Sequence, residues 1–390
     1  MDRLTKTSRH SVQWTLPQLA TIISINMWTS VLILSLVFWI FSNYYVASRI
    51  RMISVLSRLG KRKSWILAFT ILVLIQALMT LTLNFVAAAV SFIHLCFSFA
   101  FFNLAEKLIS KKIKGKSVHD ILCLYAVLVT IVYLAYGWIQ AHNIRETRYT
   151  VESEKITKPV RILQISDTHL RTKYDTERYI KKLEKMKKAG ADLVVITGDY
   201  VDDESKRTSM EKCTKATAQL NPPLGIYFCY GNHDKGYYNN RDFTDKDLRE
   251  CLEENGIKIL EDDMIPLNDE IILAARKDKH ISRERISSDK LMEKCNESKA
   301  VVLLDHEPND FESEAQSGFD LILSGHTHGG QMIPLGILVK ILGENDEIYG
   351  MHKIGKSTFI INSGFSSWSI PYKTGTFSEY VIVDFIPSGK

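Results

Sequence analysis

Residues 160–169 read Val-Arg-Ile-Leu-Gln-Ile-Ser-Asp-Thr-His. An apolar run of strand length breaks there into Asp167-Thr168-His169. Alternate residues of an extended chain point the same way, so the Asp167 and His169 side chains can reach one ion. The pattern recurs downstream. Leu193 to Thr197 runs into Gly198-Asp199-Tyr200-Val201-Asp202, and Gly225 to Tyr230 into Gly231-Asn232-His233-Asp234. Val301 to Leu304 runs into Asp305-His306-Glu307-Pro308, and Leu321 to Leu323 into Ser324-Gly325-His326-Thr327-His328-Gly329-Gly330-Gln331.

Amphipathic stretches separate these strands. Tyr179, Ile180, Leu183 and Met186 recur at helical spacing after Asp175, a candidate cap, and Gly190 closes that helix. Asp245 to Asn255 repeats the pattern and stops at Gly256, while Thr358 to Ile361 and Tyr380 to Phe385 are further strand candidates. Strands alternating with helices predict an α/β or α+β domain. In an open sheet with crossover helices, ligands bind beyond the carboxyl ends of the strands, so the five loops can converge on one site. Clustered carboxylates and imidazoles repel one another or stay poorly solvated unless a cation sits among them. Oxygen and imidazole donors without a thiolate pattern suit Mn, Fe or Zn better than a structural Cys zinc site. Seven donors are too many for one ion; they suit two ions about 3.5 to 4 Å apart that share a carboxylate.

Upstream the composition changes. A chain 46% hydrophobic and 24% charged is neither disordered nor collagen-like, but its net charge of +5 conceals a split. Residues 1–148 hold 16 Lys and Arg against 4 Asp and Glu, and the remainder 33 against 40. Three stretches, 10–48, 64–105 and 121–144, contain no Asp, Glu, Lys or Arg. A bilayer core takes about 20 apolar residues as helix, which predicts four spans: Ile22 to Val46, roughly 64–83 and 86–105 with a reversal near Asn84, and Ile121 to Gln140. Cytoplasmic loops are rich in Lys and Arg. The loop from Arg49 to Lys63 and the loop from Lys107 to Lys116 therefore read as cytoplasmic, which places the acidic domain outside the cytoplasm of a cell membrane. The expected division is a membrane domain over 1–140, a link over 141–157 and a folded domain over 158–390.

In their order and spacing, Asp167-x-His169, Gly198-Asp199-x-x-Asp202, Gly231-Asn232-His233-Asp234, His306 and Gly325-His326-x-His328 resemble the calcineurin-like metallophosphoesterase superfamily. The wording of Leu304 to Pro308 and of Gly325 to Gln331 further resembles its bacterial membrane-associated phosphodiesterase-like branch. The resemblance spans roughly residues 158–386 and is silent on the membrane spans. It implies a four-layer α/β/β/α sandwich, two mixed sheets flanked by helices, preceded here by the all-α four-helix transmembrane domain. It implies one divalent ion held by Asp167, His169, Asp199 and His328 and a second held by Asp199, Asn232, His306 and His326, with Asp202 as support. It also implies hydrolysis of a phosphate ester by a metal-bridging hydroxide, with His233 aiding the leaving oxygen and Asp234 orienting His233. Ala274-Ala275-Arg276 departs from the pattern, where a glycine is expected before the arginine, and bears on the substrate-facing rim.

Rival readings are a membrane sensor or binding protein that uses such a domain, and a cytoplasm-facing lipid-precursor pyrophosphatase, which needs the opposite topology. Spans free of Asp, Glu, Lys and Arg speak against an ion pathway, and a full ligand set speaks against a degenerate domain. A membrane tether raises the local concentration of membrane-proximal substrates, which favours phosphodiesters of lipid or cell-envelope origin. Membrane lipid is the other expected partner; no nucleic-acid or protein partner is indicated. Cys213, Cys251 and Cys295 are read as unpaired, Asn296-Glu297-Ser298 matches a glycosylation sequon, and Trp368 and Tyr372 are read as packing residues.

Overall fold

A computed structural model describes residues 36–109, 116–237, 240–282, 284–293, 295, 298–343 and 345–389. It divides into two compact units, Met1–Ile131 and Val132–Lys390.

The first unit is helical. Residues 36–50 form helix α1, followed by α2 (Lys61–Thr82), α3 (Phe85–Ile109) and the start of α4 (Lys116–His142). Lys61–Thr82, Phe85–Ile109 and Val118–His142 are each long and apolar enough to cross a membrane. Of the expected first span, residues 22–35 lie outside the described residues, as do Lys111, Lys112 and Lys114 of the second basic loop and the Asn296-Glu297 half of the sequon. The reversal falls at Asn84, whose Oδ1 accepts the Ala87 N–H at 2.7 Å and so caps α3. Small residues let the helices approach: Ala47, Ala68 and Ala126 are buried with Leu72, Phe92 and Phe99. The outward Leu, Ile and Phe side chains stay exposed, as helices facing acyl chains require.

The second unit contains two six-stranded sheets. One has the order β1 (Arg145–Ser153), β12 (Glu379–Pro387), β2 (Val160–Ile165), β3 (Leu193–Thr197), β4 (Ile226–Cys229) and β5 (Ile257–Ile259). The other has the order β10 (Gly350–Ile354), β11 (Ser357–Ile361), β9 (Leu321–Ser324), β8 (Ala300–Leu304), β7 (Ile271–Ala275) and β6 (Asp263–Pro266). In the first sheet β2 to β5 run parallel, and β12 with its parallel neighbour β1 runs antiparallel to them; in the second, β11, β9, β8 and β7 run parallel between antiparallel edge strands β10 and β6, so both sheets are mixed. Period-two alternation sets the layers. Ile162, Leu193 and Val195 point inward to meet Leu273, Val302, Leu304, Leu321 and Leu323 of the facing sheet. Leu163, Ile165, Val194 and Ile196 point outward onto Tyr179, Leu183, Met186, Met210, Leu248 and Leu252 of helices α5 (Lys173–Lys188), α6 (Arg207–Ala218) and α7 (Asp245–Glu254). Across the second sheet, Val301, Leu303, Ile322 and Phe359 pack on Phe311, which opens helix α8 (Phe311–Ser317), and on Leu291. The result is the four-layer α/β/β/α sandwich.

Two readings change. Residues 145–153, expected within the link, form β1, which pairs in parallel with β12 over nine residues. The cap of α5 is Thr172, whose side chain accepts the Asp175 N–H, while Asp175 sits at the third helical position and reaches back to the Thr172 N–H. Cys96, Cys123, Cys213, Cys229 and Cys251 are free thiols.

Candidate metal centre

The parallel strands β2, β3 and β4 of one sheet and β8 and β9 of the other end at the same edge of the sandwich, and side chains stitch the two sheets there. Gln164 of β2 donates to the Ser324 carbonyl of β9 at 3.0 Å, and the His306 ring lies 2.8 Å through Nδ1 from the Thr197 carbonyl of β3. The loops then turn sharply. Asp167, His169, Asp199, His326 and His328 all adopt positive φ, between 43° and 69°. That region costs an L residue about 1 to 2 kcal/mol, and it persists only where the surroundings over-determine it. Five of the seven expected ligands carry this strain.

Glycines make room for the loops to interlock. A Cβ on Gly325 would overlap Ser166 Oγ and Asp167 Oδ2, and one on Gly231 would overlap Asp199 Oδ1. Gly231 and Gly325 are therefore part of the ligand geometry, because only a bare backbone fits against the carboxylates, and a Cβ on Gly198 would overlap His306 Nδ1.

The donor chemistry tests whether metals fit. His306 Nδ1 faces the Thr197 carbonyl, His328 Nδ1 faces the Ser366 carbonyl at 3.1 Å, and His169 Nδ1 lies 3.3 Å from Asp202 Oδ2. For His306 and His328 the far nitrogen thus carries a proton toward an acceptor, which leaves Nε2 as a lone pair. Those lone pairs converge. His169 Nε2 and His328 Nε2 are 3.2 Å apart, with Asp167 Oδ1 3.5 Å from the latter and Asp199 Oδ2 3.8 Å from the former. His306 Nε2 lies 3.3 Å from both Asp199 Oδ2 and Asn232 Oδ1, and His326 Nδ1 lies 3.0 Å from Asn232 Oδ1. The amide of Asn232 is oriented by its Nδ2, which donates to Tyr237 at 2.7 Å. Ligands bound at 2.0 to 2.2 Å at right to tetrahedral angles stand about 2.8 to 3.6 Å from each other. Most of these separations are edges of such coordination shells. The residues present therefore fit two cations: one among Asp167, His169, Asp199 and His328, the other among Asp199, Asn232, His306 and His326. Ligand atoms of Asp167, His169 and His328, and of Asp167, Asp199 and His306, lie within 4.8 Å of one another.

In the absence of cations, protons carry the balance. Burial opposes charge on His306, but the neighbouring Asp199 and Asp167 carboxylates hold its pKa well above the ordinary value. Asp199 is penalised by burial and is nevertheless held well below its ordinary value by His306 and His169. Burial pushes His326 down to about 4 and His328 well down, so both remain neutral ligands. Asp202 is likewise opposed by burial but held low by His169 and Arg171, both of which it contacts. It supports the His169 ring, as expected.

Three expected roles need correction. Asp234 does not orient the His233 ring. Its carboxylate accepts four backbone N–H groups, those of Asp199 at 2.8 Å, Tyr200 at 2.8 Å, Val201 at 3.1 Å and Gly231 at 2.7 Å. It is a positioning residue that ties the Gly231 loop to the Asp199 loop. His233 instead donates its backbone N–H to Asp199 Oδ1 at 2.8 Å and sets its ring beside Tyr237 and Trp368, with centroids 5.1 and 5.6 Å away. Trp368 is 45% exposed, so it edges the cleft, whereas Tyr372 is buried as a packing residue. Arg276 does not face substrate. It is buried and pairs with Asp305, Asp310 and Glu314 at 3.0 to 3.1 Å beneath the His306 loop.

Sequence reading missed a second support. Lys373 is fully buried and donates to the carbonyls of Ser363 and Gly364. These residues lead into Ser366, whose carbonyl receives His328 Nδ1 and whose N–H donates to the Asp167 carbonyl at 3.0 Å. Burial pushes the Lys373 ammonium down to about 7. Nothing in the sequence around Lys373 marks it; the nearest expected ligand, His328, is far along the chain.

The comparisons with known proteins bear on this geometry. The family model described as calcineurin-like phosphoesterase matches residues 160–330, the segment that carries all five ligand loops. The C-terminal unit belongs to the calcineurin-like phosphoesterase superfamily. An "uncharacterized metallophosphoesterase" of Aquifex aeolicus is 29% identical over 267 residues, 66% of this chain and 97% of that protein. One of Helicobacter pylori is 28% identical over 316 residues, 77% of this chain and 81% of its own length. A zebrafish protein named "Transmembrane protein with metallophosphoesterase domain" is 27% identical over 275 residues, 65% of this chain and 60% of that one. A metallophosphoesterase domain uses divalent metals, and the candidate ligand groups are in place for them.

Proposed function

We propose that this chain is a membrane-anchored metal-dependent phosphoesterase whose substrates are phosphodiesters of lipid or cell-envelope origin. The observation that carries the reading is the convergence of imidazole and carboxylate lone pairs on two points that share Asp199. Two divalent cations bound there would offset the charge of a phosphate and lower the pKa of a water toward neutrality. The remaining work falls to the chain. Asp167, His169, Asp199 and His328 would hold the first cation, and Asp199, Asn232, His306 and His326 the second. Asp234 fixes the distance between the Gly231 loop and the Asp199 loop. Burial pushes the His233 ring down to about 4, so at neutral pH it is uncharged and offers one N–H to a leaving oxygen in the cleft edged by Tyr237 and Trp368. The surplus of Lys and Arg in the loops after α1 and α3 supports placing the second unit outside the cytoplasm.

The test is hydrolysis of bis-p-nitrophenyl phosphate against p-nitrophenyl phosphate by the full chain in detergent, with added Mn, Zn or Mg. The full chain is required because a truncation at residue 149 would cut through β1. Activity that prefers the diester, disappears on chelation and is absent from Asp199→Ala supports the reading. No hydrolysis with any metal would favour a binding module. Reporter fusions at the C-terminus settle the side.

A further inference from the structure

We infer that residues 333–342 lie in the membrane interface, with the apolar face of their helix immersed in the acyl layer beside the last span. This rests on the reading of α4 as a membrane span. The segment reads Ile-Pro-Leu-Gly-Ile-Leu-Val-Lys-Ile-Leu and begins two residues after Gln331 of the ligand loop. Its helix, α9 (Leu335–Leu342), departs from the rule that α5, α6 and α7 obey. Those helices turn Tyr179, Leu183, Met186, Met210, Leu248 and Leu252 into the core. Here Ile333, Ile337, Leu338, Ile341 and Leu342 are 50 to 74% exposed. Positions 337 and 341, together with 338 and 342, fall on one side of the helix, and Ile333 precedes its cap, Pro334. Water gains nothing from such a stripe, and a contiguous exposed apolar face marks an interaction surface.

Two contacts fix where that surface sits. The helix is pinned from behind by Gly336 against Gly330, where a Cβ on Gly336 would come within 2.7 Å of the Gly330 Cα. Its base is held by Thr374. The Thr374 hydroxyl accepts the Ile333 N–H at 3.1 Å and also the Tyr133 hydroxyl of α4 at 2.7 Å. The Thr374 methyl group lies against Gly137, and the Lys373 N–H donates to the Gly137 carbonyl at 2.9 Å. One threonine thus joins the apolar helix to the last turns of the span.

The occupant follows from what the span presents at that level. Val132, Tyr136, Trp138 and Ile139 are 47 to 60% exposed, and Tyr and Trp at the end of an apolar helix mark the headgroup boundary. The stripe on α9 continues this lipid-facing surface. An interfacial helix buries its apolar face roughly 5 to 10 Å into the boundary between headgroups and acyl chains. The bilayer that receives Val132 and Ile139 therefore also receives Ile341 and Leu342, and the metal-ligand loop Gly325 to Gln331 is held next to the headgroups.

The experiment uses the full chain, with the half-buried Cys251 and Cys295 replaced by Ser, in phosphatidylcholine proteoliposomes containing phosphatidylglycerol. Bimane is placed in turn on Leu342→Cys, on Val132→Cys within the span, and on Lys356→Cys. Lys356 is exposed and precedes β11 at the end of that strand away from the site. The expected result is that lipid brominated near the middle of its acyl chains quenches positions 342 and 132 at least about two-fold more than position 356, while iodide quenches only 356. Quenching at 132 with an iodide-accessible 342 would overturn the inference and leave the span intact. Absence of lipid quenching at 132 would refute the span itself, and the inference with it. Disulfide-linked dimers formed by unlabelled Leu342→Cys would show that a second copy covers the face, and would also overturn the inference.

Discussion

Replacing Asp234 by Asn separates the structural account of this residue from the one its position beside His233 suggests. Each carboxylate oxygen accepts two backbone N–H groups: Tyr200 and Val201 on Oδ1, Asp199 and Gly231 on Oδ2. An amide keeps one acceptor oxygen. Whichever way it lies, its NH₂ group faces two buried N–H donors and leaves them unpaired. Each unsatisfied buried group costs about 1 to 3 kcal/mol, so Asp234→Asn loses about 2 to 6 kcal/mol, before any loss of charge assistance. For a unit of this size that is a fall in Tm of roughly 5 to 20 °C. The assay is thermal unfolding of the full chain in detergent, followed by intrinsic fluorescence, with His233→Ala as the comparison. His233→Ala should lose turnover and keep its Tm, since its ring edges the cleft. If Asp234→Asn instead melts within about 2 °C of the parent and loses turnover as His233→Ala does, Asp234 acts through the His233 ring and the reasoning fails.

Three further outcomes are expected. Gly325→Ala drives a methyl group into Ser166 and Asp167; it should cost about 1 to 3 kcal/mol of stability and about 10- to 100-fold in metal affinity by calorimetric titration, and an unchanged affinity would remove Gly325 from the ligand geometry. Chelation should lower stability by about 2.7 kcal/mol relative to a metal concentration a hundred times Kd, read as a lower Tm, with Asp199→Ala insensitive to both metal and chelator. Lys373 releases its proton near pH 7 when folded and near 10.4 when unfolded. The unfolded state therefore binds more protons between those values, and the folded state gains stability as pH rises through that window. In metal-free protein, the stability of the parent relative to Lys373→Met should increase by about 2 to 3 kcal/mol from pH 7 to pH 9; a flat difference would show that the ammonium stays charged inside.

The ligand loops were legible because their signal is local. A buried parallel strand is a continuous apolar run, and the first polar residues after it must lie at its carboxyl end, so Asp167, His169, Asp199, Asn232, His306, His326 and His328 could be placed from neighbours alone. The three long apolar helices were legible for the same reason, since apolar length is a property of contiguous sequence. The strand at residues 145–153 was not. It lies at a sheet edge, keeps one face exposed, and pairs with residues 379–387 at the far end of the chain, so its charged composition resembles a link.

The direction of a side chain and the identity of a distant partner were decided only by the tertiary structure. Asp234 is adjacent to His233 in sequence, yet the positive φ of Asp199 presents three successive N–H groups to it and turns it away from the ring. Lys373, Ser366 and Trp368 reach the site through a loop between β11 and β12 that carries no motif. Residues 333–342 look like core helix by composition, and only their exposure beside Thr374 and Tyr133 reveals a surface. Sequence alone determined which atoms can bind metal and which segments are apolar enough for a membrane, because those properties belong to residue types and their spacing. The fold decided which lone pairs meet and which apolar face has no protein to cover it, because those depend on contacts between segments far apart along the chain.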